Sequence, residues 1–227
     1  MNWRKKYRKA VTFSYDDGVT QDERFVELLN RYHLKATFNL NSGIGYEDQV
    51  WMNRGWEIHR GRQDRWKTLY YGHEVAVHTL THPNLYEMKD PDRMEYEILE
   101  DRKNLERIFG VPVIGMAYPF GGYQDVVLEI LQRNGFRYAR TTQSSYSFDE
   151  QNDLLTYDPT CHHNDERLME LAARLVEGKP ERPQIFCVWG HSYEFDVDGT
   201  WEQMEKFFRY ISGRPDIFYG TNREVLL

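Results

Sequence analysis

Residues 10–18 read Ala10-Val11-Thr12-Phe13-Ser14-Tyr15-Asp16-Asp17-Gly18, a run rich in β-branched and aromatic residues that stops on two carboxylates and a glycine. Such a run is a strand ending in a turn. Working outward, similar short runs occur at 36–40, 74–78, 113–118, 138–141, 154–157, 185–189 and 217–219. Segments of helical period lie between them at 22–32, 92–109, 125–134, 165–176 and 201–212, several opening on an acidic residue, as capping and the helix dipole prefer. This alternation predicts an α/β fold with a parallel sheet, strand and helix repeating about seven times.

No Pro/Gly/Ser-rich linker divides the 227 residues, so one domain over 1–227 is expected. The stretch Asn41–Gly72 carries five glycines and no long helical period, and reads as an elaborated loop that walls a binding site. Its rings (Trp51, Trp56, Trp66, Tyr70, Tyr71) suit either a sugar cleft or plain core. A net charge of −7 with scattered Lys and Arg argues against a nucleic-acid partner. Eighteen consecutive apolar residues occur nowhere, and the start MNWRKKYRKAVTF lacks an apolar run of signal-peptide length, which predicts a cytoplasmic chain. Two cysteines, Cys161 and Cys187, are too few for a disulfide framework.

The chemistry-bearing residues follow predicted strands: Asp16-Asp17-Gly18, His78, Tyr118-Pro119-Phe120-Gly121 and His191. In a parallel barrel the strand C-terminal ends converge on one face, where active sites form. Adjacent carboxylates on extended backbone point apart, so one can ligate a cation while the other takes a proton, although a simple turn also explains Asp-Asp-Gly. His78 and His82 share a face if the chain turns helically after the strand, and structural histidines are the competing explanation. With a carboxylate from another strand they make a two-imidazole, one-carboxylate set with open positions for water and substrate. His191 is a candidate proton donor or a structural histidine. A serine nucleophile has no Gly-x-Ser-x-Gly elbow to stand on.

On these residues the chain resembles the NodB-homology polysaccharide deacetylases, carbohydrate esterase family four. Asp16-Asp17-Gly18 matches the end of the first family motif, and His78-Thr79-Leu80-Thr81-His82 matches His-Ser/Thr-x-x-His. Ala36-Thr37-Phe38, Gly72-His73-Glu74 and Pro83-Asn84-Leu85 fit in the same order, so the likeness runs from about Val11 to His191. It implies a distorted (β/α) barrel and one divalent metal ion, zinc first and cobalt or nickel as alternatives. It also implies Asp17, His78 and His82 as metal ligands, Asp16 as base, His191 as acid, and the Phe120 N–H at the oxyanion beside Tyr118. The substrate implied is an N- or O-acetylated carbohydrate.

Two departures stand out. Ala117 occupies the place of the arginine that pairs with the base in most of the family, and Arg140, at the end of the next predicted strand, is expected to substitute. The fourth motif has no clear match: Asp158 to His163 lies at its place, with His162 and His163 as expected site-lining residues and Cys161-His162-His163 as a less favoured second metal site. Two other readings compete: hydrolysis of a small cyclic amide or ureide on the same barrel, and a carbohydrate-binding protein without catalysis.

Overall fold

The opening run forms β1 (Lys9–Asp16), buried along its whole length. Its residues alternate as a strand must. Phe13 and Tyr15 meet Phe207, Phe208 and Phe25 on one face, whereas Ser14 and Asp16 turn to the other and meet Arg140. The computed structural model describes residues 3–45 and 49–227.

After β1 come α1 (Asp22–Arg31), β2 (Ala36–Leu40), β3 (Val50–Asn53), β4 (Trp56–His59), α2 (Gln63–Leu69) and β5 (Glu74–Val77). The chain continues through α3 (Pro91–Phe109), β6 (Gly115–Ala117), α4 (Asp125–Arg133), β7 (Tyr138–Arg140), β8 (Cys161–His162) and α5 (Leu168–Glu177). It ends with β9 (Gln184–Gly190), α6 (Glu194–Val197), α7 (Trp201–Ile211), β10 (Ile217–Tyr219) and α8 (Asn222–Leu226).

The main sheet runs β7-β6-β5-β2-β1-β9-β8 with every pair parallel. One edge of β1 is shared: β10 pairs with Lys9–Val11 and β2 with Phe13–Asp16. At the far end Tyr157 bridges Arg140 of β7, and four residues later β8 pairs with β9, so one segment draws the two edges of the sheet toward each other. The result is a curled, incompletely closed barrel.

The apolar faces of α1, α3, α4, α5 and α7 wrap the sheet in one main core. A smaller cluster of Trp3, Ala10, Ile185 and Val225 fills the end where β1 and β9 begin. That leaves the strand C-terminal ends for chemistry. Among the described residues no helix is long and apolar enough to cross a membrane.

Two expectations change. Residues 154–157 are not a strand: the Asp153 side chain accepts the Leu155 N–H at 3.0 Å and starts a 3-10 turn over Leu154–Thr156, leaving only Tyr157 to pair. The stretch 41–72 holds an antiparallel hairpin, β3 with β4, and the short helix α2, apart from residues 46–48, which lie outside the description.

Candidate active site

Asp16 and Asp17 leave β1 in different environments. Both Asp16 oxygens accept Arg140 Nη2, and Oδ1 also accepts Asn39 Nδ2 at 2.8 Å. Arg140 is wholly buried, anchored by Ser14 Oγ (3.0 Å) and the Thr141 carbonyl (2.8 Å), with its guanidinium 4.7 Å from the Trp189 ring centre. Burial alone would raise the Asp16 pKa, but the Arg140 charge, His78, His191 and the Arg140 hydrogen bond together outweigh it and hold the carboxyl below its usual range. Arg140 therefore stands against Asp16, on the strand beside Ala117.

Asp17 takes a left-handed backbone, φ 81°, which aims its carboxylate at the histidines. Its Oδ1 lies 3.8 Å from His78 Nε2 and 3.4 Å from His82 Nε2. The two histidines do not converge on a helical turn, because residues 78–82 form none. Left-handed residues, Thr79 (φ 66°) and His82 (φ 58°), bring the rings together instead. Two carboxylates of α3 hold this loop. Asp101 accepts the N–H groups of His78 (3.0 Å) and Ser42 (2.7 Å), and Glu97 accepts Thr81 N and Thr81 Oγ1, each at 2.8 Å.

The ring nitrogens are assigned by their partners. His78 Nδ1 meets the Ala117 carbonyl at 2.8 Å. A carbonyl only accepts, so Nδ1 carries the proton and Nε2 turns its lone pair toward Asp17. Burial pushes the His78 pKa down to about 4 and lowers that of His82, keeping both neutral as ligands must be. The ligand atoms of Asp17, His78 and His82 all lie within 4.8 Å of one another. Two neutral imidazoles and a carboxylate so gathered fit a divalent ion of the zinc type.

His191 directs Nε2 toward Asp17 Oδ2 (3.9 Å) and Nδ1 toward Glu194 Oε2 (3.4 Å). The same Glu194 oxygen lies 3.1 Å from His162 Nε2 and 3.3 Å from His163 Nε2. One carboxylate thus gathers three imidazoles. Burial would lower the His191 pKa, but the Glu194 carboxylate in contact with its ring and the charges of Asp17 and Asp16 push it up to about 9.

His162, His191 and Glu194 are also close enough to suggest a second metal. The tautomer speaks against it. His162 Nδ1 accepts the Asn164 N–H at 3.2 Å, so the proton sits on Nε2, facing Glu194 where a cation would need a lone pair.

A cleft of about 580 Å³ joins Asp16, Asp17, His78, His82 and His191 and is walled by Trp51, Phe120, Trp189 and Tyr193. Phe120 lies in a 3-10 turn at φ 59°, and its exposed ring meets that of His82. After it, Gly121 at φ 78° would press a Cβ to 2.1 Å from Thr142 Oγ1, so only glycine fits there. Tyr118, Arg140, His162 and His163 are not among the cleft-lining residues. Tyr118 is buried and donates to the Leu155 carbonyl at 2.7 Å, while His162 and His163 stand behind His191 at Glu194.

Arg60 and Glu194 join the site without a motif in the sequence to mark them. Arg60 sits in the glycine-broken stretch with no periodicity to place it; Glu194 carried a weak signal, a polar residue three after His191.

A partly closed parallel barrel with carboxylates and histidines at its strand ends defines a hydrolase-type barrel with a candidate metal centre. Residues 4–139 match the family described as polysaccharide deacetylase, and the chain belongs to that family. A gellan lyase from a Bacillus species is 37% identical over 68 residues, which are 29% of this chain and 3% of the lyase, so the chain spans a small fraction of that relative. A family 4 carbohydrate esterase from Streptomyces lividans, solved with acetate, has the same fold, with TM-score 0.60, 14% identity, and coverage of 94% of this chain and 93% of the esterase. A family 4 acetyl xylan esterase from Clostridium thermocellum, solved with a cobalt ion, gives TM-score 0.55 and 13% identity over 96% of this chain and 90% of the esterase.

Proposed function

We propose that the chain hydrolyses acetyl groups from an N- or O-acetylated carbohydrate in the cleft around Asp16, Asp17 and His191. The observation that carries this reading is the meeting of a neutral two-histidine, one-carboxylate set with a separate, arginine-held carboxylate and a histidine of raised pKa. The acetate in the Streptomyces lividans esterase and the cobalt in the Clostridium thermocellum esterase favour acetyl chemistry and a divalent ion.

Asp17, His78 and His82 would hold the ion, zinc in the first instance, which supplies Lewis acidity that activates water and polarises the acetyl carbonyl. Asp16, ionised beside Arg140, takes the proton of the attacking water. The Phe120 N–H, at the cleft wall, is the donor the family resemblance implies for the oxyanion. His191, protonated at neutral pH, gives its Nε2 proton to the departing amine or alcohol, and Glu194 keeps the Nδ1 side oriented while this happens. Trp51 and Tyr193, part-exposed in the cleft wall, offer ring surface against which a sugar packs.

Acetate release from a panel of acetylated chitin-type, peptidoglycan-type, xylan-type and small glycosides tests the proposal. It predicts release from at least one N- or O-acetyl class. Binding without release on every member would favour the non-catalytic reading.

A further inference from the structure

A fourth charged group touches the candidate ligands. Arg60 is 3% exposed, and its Nη1 lies 2.7 Å from Asp17 Oδ1, the same oxygen that faces His78 and His82. Four further hydrogen bonds hold the guanidinium. Nη1 donates to the Asp17 carbonyl at 2.6 Å and to Asn41 Oδ1 at 3.0 Å, while Nε and Nη2 reach Gln49 Oε1 at 3.2 and 3.0 Å. Trp51 covers it, ring centre 5.1 Å away.

The backbone leaves the arginine little room to withdraw. Residues 59–61 run antiparallel to the Asp-Asp-Gly turn: Thr20 N–H donates to the His59 carbonyl at 3.1 Å, Val19 bridges Arg60, and Gly61 N–H donates to the Gly18 carbonyl at 2.6 Å. The hairpin of β3 and β4 therefore delivers a fixed positive charge to the base of the metal-ligating loop. Asp16 and Asp17 bring two negative charges to the cleft, and Arg140 and Arg60 bring two positive ones. A divalent ion arriving there meets a neutral quartet, and the oxygen it needs, which accepts no hydrogen bond, already lies in ion-pair contact with a cation.

We propose that Arg60 is a resident counter-cation that competes with the divalent ion for Asp17, so that the hairpin carrying it sets the metal affinity of the site. The inference rests on Asp17, His78 and His82 being the ligands. A merely structural arginine, or one that orients Asp17 for the metal, predicts the opposite sign: its loss would leave binding unchanged or weaken it.

The test is metal binding by the full chain, stripped with chelator and titrated with cobalt and zinc against a metallochromic competitor, the cobalt complex also being read by its visible absorption. Arg60→Gln is expected to bind both ions about 10- to 100-fold more tightly than the parent, the range that groups around metal ligands command. Gln49→Ala, at an exposed position, loosens the arginine without removing it and should tighten binding by a smaller factor even where Arg60→Gln folds poorly. Unchanged or weaker binding in both variants overturns the proposal. Asp17→Asn separates the two layers: if it binds metal like the parent, the ligand assignment itself has failed.

Discussion

Asp16 and Asp17 are neighbours in sequence with different partners, one locked to Arg140 and the other facing two imidazoles and Arg60. Asp16→Asn should therefore abolish acetate release while keeping the metal, whereas Asp17→Asn, His78→Ala and His82→Ala should lose both. Elemental analysis beside an acetate assay reads the contrast; equal metal loss in all four would mean the carboxylates are assigned the wrong way round. Arg140 carries a second prediction. Its removal strands a buried carboxylate, so Arg140→Met should lower stability by about 3 to 5 kcal/mol and cut turnover, while Arg137→Met, at an exposed position, should do neither. Denaturant melts of the two variants decide it. The residues readable in the sequence were those whose spacing is local, Asp-Asp-Gly and the histidine pair, together with Arg140 and His191, which end strands. Arg60 and Glu194 depend on how distant segments meet, and no short pattern announces that.

Elements were legible where the run of residue types was long enough. The helices α1, α3, α4 and α7 begin within a residue of the expected positions. Helix α5 starts later than expected, at Leu168, because the Asp165 side chain accepts the Arg167 N–H at 2.9 Å and holds a turn there. The hairpin of β3 and β4 escaped because its strands are short and alternate weakly, although its two-residue Arg54-Gly55 turn, both at positive φ, is the available signal. Strand β9 carries a tight fit that can be tested: a Cβ on Gly190 would lie 2.0 Å from His163 Nδ1. Gly190→Ala should push His163 off Tyr15 and Glu194 and cost about 1 to 3 kcal/mol, read from denaturant unfolding. An unchanged midpoint would show that the collar of histidines yields freely.

Across the whole molecule, the barrel keeps ionisable groups inside where they tie loops to the sheet, and Asp22 gives that a measurable consequence. It is buried between Tyr70 OH (2.7 Å) and Ser192 Oγ (2.6 Å), and burial pushes its pKa up to about 7. The folded state then holds a proton that the unfolded chain releases near pH 4, so this group's contribution falls as pH rises from about 4 to about 7. Asp22→Asn removes that slope: the melting temperature of the variant relative to the parent should climb across this window and level off above it. A difference constant in pH would contradict the assignment.

The central claim, that a divalent ion bound at the strand ends drives deacetylation, is tested most directly by one titration. Chelator-stripped protein is mixed with an acetylated carbohydrate that the parent deacetylates, and acetate release is followed as zinc or cobalt is added. The account predicts no release from stripped protein and recovery that saturates at one ion per chain. Release that persists at full rate in stripped protein would contradict it.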